Sequence, residues 1–230
     1  MLDKISFIKF LMNSGVLTFG DFTTKSGRKS PYFINTGNFT TGKQLNDLGI
    51  YYARCIQDNI AQGYIPDDIA ALFGPAYKGI PLSVATAISL SEDFNRDISY
   101  CFNRKEQKDH GEGGTIVGHK LKDGEKILII EDVITAGTAV RESIPILKNA
   151  ANVQICGLII AVDRMEKGKG SLSAVQEIYE DYGIPTFPIV NINEIIELLP
   201  KLMGSKEDMD LAAITKRMED YMRNYCIEHR

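Results

Sequence analysis

Cysteine is scarce in this chain: Cys55, Cys101, Cys156 and Cys226 are the only four, and none forms a CxxC pair. Scattered single cysteines give neither zinc-ligand spacing nor a disulfide framework, so reduced thiols in a cytoplasmic protein are expected. Long apolar runs are also missing. The longest, at 155–162, falls far short of the roughly 20 residues a membrane helix requires. The opening Met1-Leu2-Asp3-Lys4 has no basic segment leading into an apolar one, which argues against a secretory leader. Nor is there an excess of basic charge, since 26 Lys and Arg against 30 Asp and Glu leave a net charge of -4. Broad electrostatic binding to nucleic acid or to an anionic membrane is thereby disfavoured. Any anionic ligand must instead be met by a local basic cluster. No internal repeat and no low-complexity segment interrupts the chain.

The 230 residues are 44% hydrophobic, enough for one sizeable core. Ile5, Ile8, Leu11 and Met12 recur at helical spacing, and Leu45, Leu48, Tyr52, Cys55 and Ile56 mark a second amphipathic helix. Between them lies a polar stretch punctuated by Gly and Pro, at 18–41. Strands are then predicted at 69–73, 98–102, 127–130, 153–162 and 186–190, alternating with helices at 80–90, 138–149 and 172–182. Such alternation predicts an α/β fold with a mostly parallel sheet flanked by helices. Pro145 is expected to kink or shorten its helix, and Asn152 is a candidate left-handed cap for it. Leu211, Ile214, Met218, Tyr221 and Tyr225 outline a final amphipathic helix whose expected role is packing, with no chemistry assigned.

Four segments carry chemistry-bearing residues. In the first, the apolar run at 127–130 delivers Glu131 and Asp132 to a strand end, followed by Val133, Ile134, Thr135, Ala136, Gly137, Thr138 and Ala139 entering a helix. The carboxyl edge of a parallel sheet is where ligands bind. The small-residue turn with two threonines and a helix N-terminus makes an anion cradle. Carboxylates beside a phosphate cradle fit a sugar phosphate, with the acids accepting from ribose hydroxyls and the loop holding the phosphate. Helix capping by threonine is the plain alternative; it explains neither the acid pair nor the small-residue loop. In the second, Arg104, Lys105, Lys108 and His110 precede a run of glycines. Alone this reads as a solvated charge run; beside a phosphate cradle it reads as an exposed loop able to close over pyrophosphate. The third, at 73–79, is a strand end turning into a helix with Tyr77 and Lys78, either a pyrophosphate contact or a tight turn with an exposed lysine. The fourth, at 25–35, joins Lys25 to Phe33 and Ile34, either a site for an anionic planar base or simply a β-turn.

Taken together, "KSGRKSPYF" at 25–33, "FGPAYKGIP" at 73–81, "CFNRKEQKDHGEGG" at 101–114, "EDVITAGTA" at 131–139 and "VDRMEKGKG" at 162–170 resemble the orotate branch of the type I phosphoribosyltransferase family. The likeness runs from about residue 19 to residue 190. It implies transfer of a phosphoribosyl group from phosphoribosyl pyrophosphate to orotate. It also implies that family's fold as a single domain, with a small N-terminal hood at 1–40 and a C-terminal helix at 205–230. By the same resemblance, Lys25, Tyr77, Lys78, Arg104, Lys105, Lys108 and His110 surround phosphoribosyl pyrophosphate. Residues 131–139 hold the ribose and its 5-phosphate. Phe33, Ile34 through its backbone, Thr135 and Arg164 hold orotate. Lys25, Lys108 and Asp132 are the expected catalytic residues, and Mg2+ arrives bound to the pyrophosphate. The basic loop is expected to reach the partner's site in a homodimer with shared active sites. Two positions depart from the pattern: Ile34 replaces a usual second phenylalanine, and Glu131 stands where aspartate is frequent. The family is sometimes fused to a decarboxylase barrel of about 250 residues, for which there is no room here, so only the transfer step is expected. The rival readings are a purine phosphoribosyltransferase, which Arg164 and the 25–34 loop oppose, and a non-catalytic nucleic-acid-binding regulator of the same fold, which the acidic charge opposes.

Overall fold

The computed structural model describes residues 2–24, 27–105, 115–168, 170–202 and 208–227. The chain opens with α1 (Lys4–Asn13), whose N-cap Asp3 accepts from the Ser6 backbone N–H. An antiparallel hairpin follows, β1 (Leu17–Thr23) with β2 (Lys29–Ile34), in the register Leu17 to Ile34 and Phe19 to Tyr32. This hairpin occupies the stretch read from sequence as polar and turn-rich. Pro31 obscures the strand signal, yet it is tolerated because a two-stranded ribbon has only edges. α2 (Gly42–Ala61) begins at a capping box in which Thr41 and Gln44 satisfy each other's backbone N–H groups.

The second sheet has six strands in the order β5-β4-β3-β6-β7-β8. They are β3 (Ile69–Gly74), β4 (Ser99–Asn103), β5 (Ile116–Gly118), β6 (Lys126–Val133), β7 (Gln154–Asp163) and β8 (Thr186–Asn191). All neighbouring pairs are parallel except β4 with β5. The helices α3 (Gly79–Phe94), α4 (Thr138–Ala150) and α5 (Ala174–Tyr182) connect them, and α6 (Ile192–Leu198) and α7 (Asp208–Tyr225) close the described chain. The expected mostly parallel sheet flanked by helices is therefore present, with the hairpin as an extra N-terminal layer.

The period-two alternation of strands divides the core. Leu128 and Ile130 of β6 face a cluster with Phe7, Leu48, Ile56, Leu90, Ile195 and Met218. Ile127 and Ile129, on the opposite face, join Phe73, Ile144, Leu147 and Ile178. A strand buried on both faces reads as a continuous apolar run, which is why β6 and β7 were legible in sequence. No helix among the described residues is long and apolar enough to cross a membrane.

Two local expectations bear on α4. α4 is not shortened at Pro145 but continues to Ala150. Asn152 is not its left-handed cap: Ala151 is extended, and the Asn152 N–H donates to Asp123 at 2.7 Å. The left-handed cap of this kind belongs instead to Asn95, at the end of α3. The short β5 and α6 were not foreseen, because three and seven residues are too few to display a period.

Candidate active site

The end of β6 is the centre of the site. Burial of the strand on both faces carries Glu131 and Asp132 inward with it, leaving them 8% and 7% exposed. Buried carboxyls need partners. Asp132 has several: one Oδ accepts from the Thr36 hydroxyl and from Lys78 Nζ at 3.0 Å, and the other accepts from the Val133 N–H at 2.7 Å. Glu131 accepts from the Asp132 N–H at 3.0 Å, while the Tyr52 hydroxyl donates to its backbone carbonyl at 2.6 Å. The two acids consequently diverge. Burial, and then the adjacent Asp132 charge, push the Glu131 carboxyl up to about 8. Burial opposes ionisation of Asp132 as well, but the Thr36 hydroxyl, the Val133 N–H and Lys78 outweigh it and hold this carboxyl below its ordinary value. Near neutral pH the pair therefore presents one protonated and one ionised carboxyl.

After β6 the chain passes through Ile134, which is buried, and Thr135 and Ala136, which are exposed. It enters α4 through Gly137, a left-handed N-cap with φ of 68°. A side chain here would be strained, and its Cβ would approach Ile178 to 3.1 Å. No side chain caps this helix start, so threonine capping does not account for the motif. Thr138 and Ala139 of the first turn line the cleft, where the helix dipole favours an anion.

Facing this turn, β3 ends in Gly74 and α3 begins at Gly79. A Cβ at Gly74 would stand 2.2 Å from the Gly79 carbonyl, so the strand and the helix start touch through backbone. Between them the peptide joining Ala76 to Tyr77 is cis, and the Ala76 N–H donates to the buried Asn103 side chain at 2.8 Å. Ala76, Tyr77, Lys78 and residues 131–140 line one cleft of about 370 Å³. A neighbouring cleft of about 600 Å³ is lined by Arg104, Lys105, Ala76, Thr138 and Ala139. Lys105 sits 5.3 Å above the Tyr77 ring. The β4–β5 pairing and the bond from the Arg104 N–H to Thr115 at 2.8 Å bring together the two described ends of the basic segment.

On the hairpin, Phe33 is 42% exposed and stacks on Phe22 with ring centres 5.4 Å apart. Ile34 is buried in the main core, so its side chain offers no stacking face and only its backbone can meet a ligand. Arg164 follows β7 at the same sheet edge and pairs with Glu166 at 2.5 Å. Lys25, Lys108 and His110 lie outside the described residues. The sequence assigns no role at the site to Thr36, Tyr52, Asn103 or Glu166. Thr36, Tyr52 and Asn103 act on residues distant in the chain, and Glu166 joins the nearby Arg164 to the distant Tyr221; no local spacing reveals such partnerships.

Residues 42–186 match the model of the phosphoribosyl transferase domain. An orotate phosphoribosyltransferase of Clostridium beijerinckii is 52% identical over 96% of this chain and 97% of its own length. The chain belongs to the orotate phosphoribosyltransferase family. A member from Bifidobacterium longum is 50% identical over 95% of this chain and 96% of its own. The crystal structure of the Francisella tularensis orotate phosphoribosyltransferase superposes with a TM-score of 0.80 at 39% identity, covering 96% of this chain and 99% of that one. The family motifs in the sequence thus coincide with a family fold along nearly the whole chain.

Proposed function

We propose that this enzyme moves the phosphoribosyl group of phosphoribosyl pyrophosphate onto a ring nitrogen of orotate, giving orotidine monophosphate and pyrophosphate for pyrimidine nucleotide synthesis. The observation that carries the reading is the divergent acid pair at the end of β6, set beside an uncapped helix N-terminus with Lys78 across the cleft. A phosphate at the start of α4 places the attached ribose hydroxyls toward Glu131 and Asp132. The ionised Asp132 accepts a hydroxyl hydrogen, and the protonated Glu131 both donates and accepts. Lys78 is 61% exposed and held by Asp132 and Thr36. An incoming ribose competes for that carboxylate and releases the ammonium toward the pyrophosphate.

In the reaction the bond from the anomeric carbon to the pyrophosphate oxygen breaks and its electron pair leaves with pyrophosphate. The base nitrogen forms the new bond from the opposite face and loses its proton. The transition state is positive at the sugar and increasingly negative at pyrophosphate. Lys25, Lys78, Arg104, Lys105, Lys108 and His110 supply the opposing charge and hydrogen bonds. Phe33, the Ile34 backbone, Thr135 and Arg164 hold orotate, with the guanidinium on its carboxylate. Among the described residues no three His, Cys, Asp or Glu side chains cluster to hold a metal, and Asp132 already carries Lys78. By the family resemblance, Mg2+ would arrive bound to the pyrophosphate. Bound there, the ion adds positive charge against the leaving group.

We further propose a cytoplasmic homodimer in which the basic loop from Arg104 to Gly114 serves the partner's site. The shared site rests on the family resemblance, and the compartment on the scattered cysteines of the sequence. The decisive assay follows orotate absorbance with and without phosphoribosyl pyrophosphate and Mg2+, with hypoxanthine as the alternative acceptor. Consumption of orotate that requires both additions is expected. Preference for hypoxanthine would make the enzyme a purine transferase, and absence of turnover with tight nucleic-acid binding would make it a regulator.

A further inference from the structure

Arg164 is more tightly arranged than a lone surface guanidinium. Its NH2 group donates to Glu166 Oε1 at 2.5 Å. The same oxygen accepts from the Tyr221 hydroxyl at 2.9 Å and sits 3.4 Å from the Tyr32 hydroxyl. The guanidinium lies 5.6 Å above the Tyr32 ring, and the Tyr32 and Tyr221 rings meet edge to face at 5.7 Å. These residues come from three separate places: β2, the segment after β7, and α7. The backbone is tied as well. The Lys167 N–H donates to the Tyr225 carbonyl and the Ile227 N–H to the Met165 carbonyl, both at 2.9 Å. Met165 itself has a positive φ of 55° and is buried, a conformation that a bulky residue keeps only when its surroundings impose it. Among the described residues the Arg164 Nε–H is buried and meets no hydrogen-bond partner.

A buried donor without a partner costs about 1–3 kcal/mol, which a ligand oxygen would recover. Arg164 therefore has one amino group committed to a fixed anchor and one unspent buried donor. A long arginine side chain loses appreciable rotamer entropy when it binds a planar anion, and an anchor that fixes it beforehand removes that cost from ligand binding. Tyr221 is suited to the task. Burial, and then the adjacent Glu166, raise its phenol well above the ordinary value, so it remains a donor throughout the working pH range.

We infer that Glu166 and Tyr221 are positioning residues for base recognition, so that α7, remote from the parallel sheet in sequence, sets the affinity for the carboxylate of the base. The inference rests on the reading of Arg164 as the orotate contact. It goes beyond that reading by assigning a role in substrate affinity to a helix expected only to pack.

The test is a double-mutant cycle in the full chain, with kcat and both KM values measured for Arg164→Ala, Tyr221→Phe and the double variant, and thermal melts confirming that each is folded. Tyr221→Phe keeps the ring and deletes one donor. The KM for orotate should rise about three- to tenfold, the scale of one hydrogen bond, while kcat and the KM for phosphoribosyl pyrophosphate stay within about twofold. In the Arg164→Ala background the same change should add nothing, because nothing remains to be positioned. Glu166→Gln supplies a second lesion of the same anchor and should shift the orotate KM in the same direction. If Arg164→Ala raises the orotate KM but Tyr221→Phe and Glu166→Gln do not, the positioning role fails while the base contact stands. Full additivity in the double variant, or equal effects on both substrates, reduces Tyr221 to a packing residue. If Arg164→Ala leaves the orotate KM untouched, the contact itself is refuted, and the positioning role with it.

Discussion

Replacing Glu131 with glutamine tests whether the acid pair at the end of β6 keeps a proton in the free enzyme. The carboxyl is 8% exposed and accepts from the Asp132 N–H, and burial and the Asp132 charge hold it at about 8 rather than 4.5. A tenfold change in ionisation constant is worth about 1.4 kcal/mol, which puts a ceiling on the order of 5 kcal/mol on the pH-dependent effect. Water penetration and side-chain relaxation relieve much of such a penalty. A third of the ceiling, on the order of 1.5 kcal/mol, is the working expectation. The native state binds this proton more tightly than the unfolded chain does. The resulting stabilisation is complete below 4.5, is lost as pH climbs to about 8, and stays lost above that, where both states are ionised. Glutamine carries no charge at any of these values. A domain of this size changes its melting temperature by about 2–4 °C per kcal/mol. Relative to wild type, Glu131→Gln should therefore gain about 3–6 °C between pH 5 and pH 9. The assay is a set of paired thermal melts without ligand across that range, and the observable is the change in the gap, not its absolute size. Melting curves that remain parallel from pH 5 to pH 9 would refute the protonated pair. A gap that moves in the opposite direction would mean that the ionised form is the stabilised one.

Asp132→Asn should cut turnover by about 100-fold or more while leaving a folded protein; near-normal turnover would remove this carboxylate from the ribose site. Lys108→Ala should lower kcat on a similar scale with a smaller change in KM, and an affinity loss at unchanged kcat would show that the lysine binds ground and transition states alike. Mixing these two variants tests the shared site. Random pairing makes about half the dimers mixed, and each mixed dimer has one intact site, so about a quarter of all sites should recover in a two-fold dimer. Verified mixed dimers with no activity above the separate variants would confine the loop to its own subunit.

Much of the architecture could be read locally. The runs at 127–130 and 153–162 announce β6 and β7 because central parallel strands are buried on both faces, and Glu131 and Asp132 stand out because acids seldom end such a run. The turn into α4 was equally plain, since Gly137 occupies the one position there with a left-handed backbone. The hairpin was harder: Pro31 and the bulge between Phe19 and Phe22 break the alternation that marks a strand. Asn152 shows the limit of cap rules, because Asp123 takes its N–H and the chain leaves α4 extended.

The sequence by itself determined the fold class, the family and the position of the acid pair. These depend on periodicity, on short motifs and on residues adjacent in the chain. Only the tertiary structure decided what each side chain works against. Thr36 and Lys78 converge on Asp132 from the hairpin layer and from the start of α3, and they split the ionisation of two neighbouring acids that look equivalent in sequence. From the C-terminal helix, Tyr221, 55 residues from Glu166 in the chain, donates to the carboxylate that pairs with Arg164. Hydrogen-bond geometry and burial depend on distances in space, and the chain order of the partners carries almost none of that information.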